Sequence, residues 1–151
     1  MTGGADKLVK FWDFSVTKQG LGATMSRHLV MAHDVLAVRY SPSRSQDKLL
    51  VAVGLLDNTI KLFYDDSLKF FLSLYGHKLP IMCLDISYDS NILVSGSADK
   101  TVKIWGLDFG DCHRSLIAHE DSVTAIRFQP NTHYFFSSGK DGVIKYWDAD
   151  R

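Results

Sequence analysis

One arrangement comes back four times in this chain and decides what it can fold into. Asp6, Asp57, Asp99 and Asp141 each stand six residues ahead of an aromatic ring, at Trp12, Phe63, Trp105 and Trp147. Between them run Leu-Val-Lys-Phe, Thr-Ile-Lys-Leu, Thr-Val-Lys-Ile and Val-Ile-Lys-Tyr, largely apolar and polar in alternation. Alternation of that kind marks a strand with one buried face, and the Asp with its small or polar neighbours marks the turn that feeds it. Steps of 51, 42 and 42 residues separate the four aspartates. A period of that length means stacked units of several elements each, none able to bury its apolar face alone.

A second column lies upstream. His77 precedes Asp99 by 22 residues, and His119 precedes Asp141 by the same 22. Strand patterns follow each histidine, at 81–86 and 123–128, and others precede each aspartate, at 92–96 and 134–138. Further strands are expected at 7–12, 28–31, 36–40, 49–53, 59–64, 70–74, 101–105, 113–117 and 143–147, with no helix. The stretch from Phe14 to Arg27, with Gly20 and Gly22 inside it, reads as a loop between units. An all-β chain follows.

These residues resemble the WD40 repeat. Trp12-Asp13 and Trp147-Asp148 match its Trp-Asp dipeptide, and Gly76-His77 matches its Gly-His element, which becomes Ala118-His119 in the last unit. The resemblance implies a partial β-propeller of about three four-stranded blades plus a fragment of a preceding one. The end of one repeat falls at 1–15, and repeats follow over about 28–65, 69–107 and 112–149. Propellers need at least about four blades. The chain is therefore expected to be part of a longer one, and on its own to associate through uncovered sheet edges and faces.

The resemblance also implies a hydrogen-bonded set of Asp, His, Ser or Thr, and Trp in each unit. Carried over, this gives His77, Ser95, Asp99 and Trp105 in one repeat and His119, Ser137, Asp141 and Trp147 in the next. Asp6 and Trp12, with Thr2, represent the set at the start of the chain. The second repeat departs from it: Met31 takes the His position, Val53 the Ser position and Phe63 the Trp position, so only Asp57 remains. That repeat is expected to rest on apolar packing alone.

Ser95, His77 and Asp99 also have the residue types of a nucleophile, base and orienting acid. Ser137, His119 and Asp141 repeat them at the same spacing, with a Trp completing both. Catalysis needs its constellation once, whereas architecture needs its own in every unit. No enzyme is expected on this ground, and no cofactor or small-molecule substrate. Cys112-His113 with Asp108 offers metal-ligand types, but a structural zinc site takes about four ligands, so no metal is expected either. The lysine column (Lys10, Lys61, Lys103, Lys145) is read as stems packing along the strands with ammonium groups in solvent.

Seventeen basic and seventeen acidic residues cancel, so no whole-chain field favours nucleic acid or anionic lipid, and RNA contact is expected to be local or indirect. The first six residues lack the apolar core of a signal peptide. Two isolated cysteines suit a reducing compartment, and the longest apolar run, 49–56, is far too short to span a membrane. The expectation is an intracellular protein.

Three stretches carry a narrower likeness: "GGADKLVKFWDF" from Gly3, "LKFFLSLYGHKLPIMCLDIS" from Leu68 and "KIWGLDFGDCHRSLIAH" from Lys103. They resemble the U3 small nucleolar RNA-associated WD-repeat proteins of the small-subunit processome. That likeness implies a non-enzymatic scaffold in the nucleus and nucleolus, with other processome and U3 ribonucleoprotein proteins as partners. The alternative is a WD40 adaptor of another intracellular complex, in signalling or ubiquitination. Loops beside the histidine column, Lys78-Leu79-Pro80 and Glu120-Asp121, are the expected partner surface.

Overall fold

Fourteen strands make up the computed structural model, which describes residues 1–42 and 49–151. Among these residues no helix occurs, and none is long and apolar enough to cross a membrane. The strands form four antiparallel sheets in chain order. The first holds β1 (Thr2–Gly3), β2 (Leu8–Thr17) and β3 (Gly20–Val30). The second holds β4 (Val35–Tyr40), β5 (Leu50–Leu55), β6 (Ile60–Tyr64) and β7 (Phe70–Leu74). The third holds β8 (Ile81–Ile86), β9 (Ile92–Ser97), β10 (Thr101–Gly106) and β11 (Cys112–Ile117). The fourth holds β12 (Val123–Phe128), β13 (Tyr134–Gly139) and β14 (Ile144–Asp148).

Sheet membership runs one strand out of step with the sequence repeats. The strand at 70–74 opens a repeat yet pairs with β6, and the strand at 112–117 pairs with β10. Each repeat thus lends its first strand to the sheet before it, which ties successive sheets together covalently and by hydrogen bonds. Two four-stranded sheets result, flanked by two of three strands.

The apolar alternation read from the sequence builds the core between sheets. Val9 and Phe11 of the first sheet meet Val35, Val51, Val53 and Phe63 of the second. Leu50, Ala52, Ile60 and Leu62 meet Ile81, Leu84, Leu93 and Trp105 of the third. Val94, Val102 and Ile104 meet Val123, Ile126 and Phe135 of the fourth. Sheets approach closely where they meet: a Cβ on Gly96 would lie 2.5 Å from Val123 Cγ1, so no larger residue fits there without displacement.

The stretch from Phe14 to Arg27 corrects the sequence reading. It is not a loop but the body of a hairpin, with Asp13 facing Thr24, Phe14 facing Ala23 and Val16 facing Leu21. A tight turn through Lys18 and Gln19 closes it, and Gly20 supplies the positive φ of 127° that the turn requires. Gly22 sits within the ladder opposite Ser15. Trp12, Phe14, Val16, Leu21, Ala23 and Met25 share one face of this hairpin, and Asp13, Ser15 and Thr17 lie on the other.

Candidate functional site

In the third sheet the structure brings His77, Ser95, Asp99 and Trp105 into one buried relay. Trp105 Nε1 donates to Ser95 Oγ at 2.8 Å, and Ser95 Oγ lies 2.8 Å from His77 Nε2. His77 Nδ1 is 2.9 Å from Asp99 Oδ2. Thr101 donates to Asp99 Oδ1 through its N–H at 2.9 Å and its hydroxyl at 2.6 Å, and the Lys78 N–H donates to Oδ2 at 2.9 Å. Burial alone would raise the Asp99 carboxyl, but the hydrogen bonds from Thr101, Lys78 N and His77 outweigh it and hold the pKa at about 2. Burial pushes His77 below its usual 6.5, against the pull of Asp99. A neutral imidazole with its proton on Nδ1 satisfies the relay: it donates to Asp99 and accepts from Ser95 at Nε2.

The fourth sheet repeats the set. Trp147 Nε1 donates to Ser137 Oγ at 2.8 Å, His119 Nε2 lies 2.8 Å from the same oxygen, and His119 Nδ1 is 3.0 Å from Asp141 Oδ2. Glu120 N and Val143 N donate to the Asp141 carboxylate. These bonds, the one from Glu120 first, hold it below the usual carboxylate value. In the first sheet Trp12 Nε1 donates to Thr2 Oγ1 at 2.9 Å, and Asp6 accepts from Leu8 N and pairs with Lys10 at 3.2 Å. Among the described residues no hydrogen bond joins Asp6, in the turn before β2, to the Trp12–Thr2 pair.

In the second sheet Met31, Val53 and Phe63 lie in one apolar cluster. Asp57 still accepts both the N–H and the hydroxyl of Thr59, at 3.1 and 2.7 Å. His33 adds what the sequence reading left out: its Nε2 lies 3.6 Å from Asp57 Oδ2 at the exposed rim. Apolar packing alone is therefore corrected to packing plus a rim contact.

Ser95 has the partners of a nucleophile but no access. It is 0% exposed, Ser137 is 1% exposed, and each hydroxyl already serves a Trp N–H and a His. A substrate cannot reach either oxygen. What the sets do instead is fix turns: Asp99 and Asp141 anchor the backbone of Lys78 and Glu120, so those side chains, with exposed Leu79 and Asp121, stand at one end of the sheets. Pro80 O accepts from Ala98 N, and Leu79 O from Ser97 Oγ, which pins the same loop.

Three lysines of the column are engaged locally. Lys61 Nζ donates to Ser73 Oγ at 3.2 Å, Lys103 Nζ to Ser115 Oγ at 2.7 Å, and Lys10 pairs with Asp6. Asp108, Asp111 and His113 place ligand atoms within 4.8 Å of one another. All three are exposed and short of the about four ligands of a structural zinc site, while Cys112 Sγ turns to Arg114 O at 3.3 Å.

Two polar ties escaped the sequence reading. Asp85 links three sheets: its carboxylate accepts from Arg39 Nε at 3.0 Å and from Phe128 N at 2.8 Å. His133 lies between Asp150 and Asp89, at 2.8 and 3.1 Å. The available signal for the first was the strand register, which puts Arg39, Asp85 and Arg127 at equivalent places on β4, β8 and β12.

Stacked antiparallel sheets, two of which carry a Trp–Ser–His–Asp relay, define a WD-repeat β-propeller segment. The chain belongs to the family of the WDR3 second β-propeller domain, whose model matches residues 1–151. It is 57% identical to human WD repeat-containing protein 3 over 87 residues, covering 54% of this chain and 9% of that protein. Identity to the Dictyostelium discoideum homolog of that protein is 55% over 90 residues, 55% of this chain and 9% of the relative. The U3 small nucleolar RNA-associated protein 12 of Saccharomyces cerevisiae is 50% identical over 96 residues, 56% of this chain and 10% of that protein. The matched stretch thus spans about a tenth of the length of these relatives.

Proposed function

We propose that this chain is a non-enzymatic scaffold segment of the U3 small nucleolar ribonucleoprotein and small-subunit processome. In this reading it supports processing of the small-subunit ribosomal RNA precursor in the nucleolus through protein–protein contacts, with RNA touched locally or through partners. The observation that carries it is the 50% identity to a yeast protein named for its association with U3 small nucleolar RNA. The physical support is that the Ser-His-Asp sets are repeated and sealed inside the sheets, where they fix turns and present loops. A balanced charge favours protein partners over broad RNA contact. Mass spectrometry of what co-purifies with the full-length protein tests it. U3 ribonucleoprotein components are expected, and signalling or ubiquitin-ligase subunits in their place would overturn it.

A further inference from the structure

A cavity of about 370 Å³ opens where the innermost strands β4, β8 and β12 end, away from Lys78 and Glu120. That size is in the range of small-ligand pockets. Tyr40 and Pro42 of the second sheet, Tyr88 of the third, and Phe128 and Pro130 of the fourth form its walls, with Arg39 and Asp85 between them. Asp85 is committed at both oxygens: Oδ1 accepts from Arg39 Nε and from Ile86 N, each at 3.0 Å, and Oδ2 accepts from Phe128 N at 2.8 Å. Arg39 is thereby held by its Nε. Among the described residues its terminal nitrogens have no hydrogen-bond partner, and its side chain is 32% exposed.

The walls are fixed before any ligand arrives. Tyr88 is 44% exposed, and its ring lies 5.5 Å from that of His133, which Asp150 and Asp89 pin from two sides. Tyr40, 40% exposed, is braced edge-on by Phe11 at 6.4 Å. A preorganised wall lowers the ordering cost of binding.

We propose that this cavity docks an extended peptide segment of a partner protein. The segment presents a glutamate or aspartate side chain to Arg39 and lays proline or aliphatic residues against Tyr40 and Tyr88. A guanidinium oriented through one nitrogen offers its remaining N–H pair to a carboxylate in a planar fork. Aromatic-lined grooves are the surface that extended, proline-containing segments use. Arg39 is the cavity's one cation among the described residues, and its one anion, Asp85, is already engaged at both oxygens. The site does not rest on the assembly proposed above, because peptide binding is read directly.

The test pans two randomised peptide libraries against the full-length protein, one with blocked C-termini and one with free C-termini. The blocked library is expected to yield sequences sharing an acidic residue beside proline, leucine or valine. Affinity for a synthetic consensus should fall about tenfold or more with Arg39→Gln, with Tyr88→Ala, and when the peptide's acid becomes its amide. Tyr88→Ala leaves the Asp85 bonds in place, so it decides the matter if Arg39→Gln fails to fold. Enrichment only among free C-terminal carboxylates would overturn the proposal. So would no enrichment, or enriched peptides that bind both variants as tightly as the parent protein.

Discussion

Ser95→Ala removes one oxygen from the centre of the third sheet and leaves two buried groups without a partner. Trp105 Nε1 and His77 Nε2 each meet Ser95 Oγ at 2.8 Å, and Ser95, Trp105 and the His77 side chain are at most 1% exposed. Leaving a buried donor or acceptor unpaired costs about 1–3 kcal/mol, so the loss here is roughly 2–6 kcal/mol. Ser137→Ala makes the same deletion in the fourth sheet, where Trp147 is only half-buried. Water can reach that indole, and the cost is about 1–3 kcal/mol. Hydrogen exchange of β9 and β10 amides in the full-length protein reads the effect locally. Protection should fall by about tenfold at least, since each 1.4 kcal/mol is about tenfold. Adding Trp105→Phe to Ser95→Ala removes one orphaned donor, so the double variant should be less damaged than the two single losses summed. Protection within about twofold of the parent for Ser95→Ala, below about 0.5 kcal/mol, would refute this reasoning.

Four other outcomes are expected. Val53→Ser should lower the melting temperature, because Val53 is buried in a cluster with Met31, Val51, Leu55 and Phe63, where Met31 and Phe63 take the places of the relay's His and Trp. Gly96→Ala should destabilise the junction of the third and fourth sheets, since the new methyl would lie 2.5 Å from Val123 Cγ1 and 2.7 Å from Cys83 Sγ. Iodoacetamide should label Cys112 ahead of Cys83 in the native protein, because Cys112 is exposed while burial pushes the Cys83 thiol up to about 12. For pH, burial pulls His133 down, but its bonds to Asp150 and Asp89 outweigh this and raise it above its usual 6.5. Its contribution is therefore complete below 6.5 and lost as pH rises through the raised value. His77, held below 6.5, behaves oppositely: its contribution is intact above 6.5 and is lost as pH falls from there through the lowered value. Melting curves of His133→Gln across neutral pH should lack the decline that the parent shows on the alkaline side.

The strands were legible because each carries its own alternation, and the aspartate turns because each recurs. The Phe14 to Arg27 hairpin was not: its glycines and small polar residues read as a loop, while its ladder pairs residues across a turn that no repeat marks. Membership of sheets was also hidden, since the pairing of 70–74 with β6 crosses a repeat boundary. His33 escaped because alignment gave its place to Met31, and only the fold brings its ring beside Asp57. Asp85 reads as a polar residue on a strand, and its partners lie 46 residues before and 43 residues after it. Side chains that join sheets depend on how the sheets stack, which local sequence does not encode.

The central claim, that this chain serves small-subunit ribosomal RNA processing as a scaffold, is tested most directly by depletion of the full-length protein. Precursor species are then followed by RNA blotting, with parent and Ser95→Ala genes supplied back. Uncleaved small-subunit precursor is expected to accumulate on depletion, the parent gene to restore cleavage, and Ser95→Ala to restore it less in proportion to its loss of folded protein. Normal processing under complete depletion would contradict it.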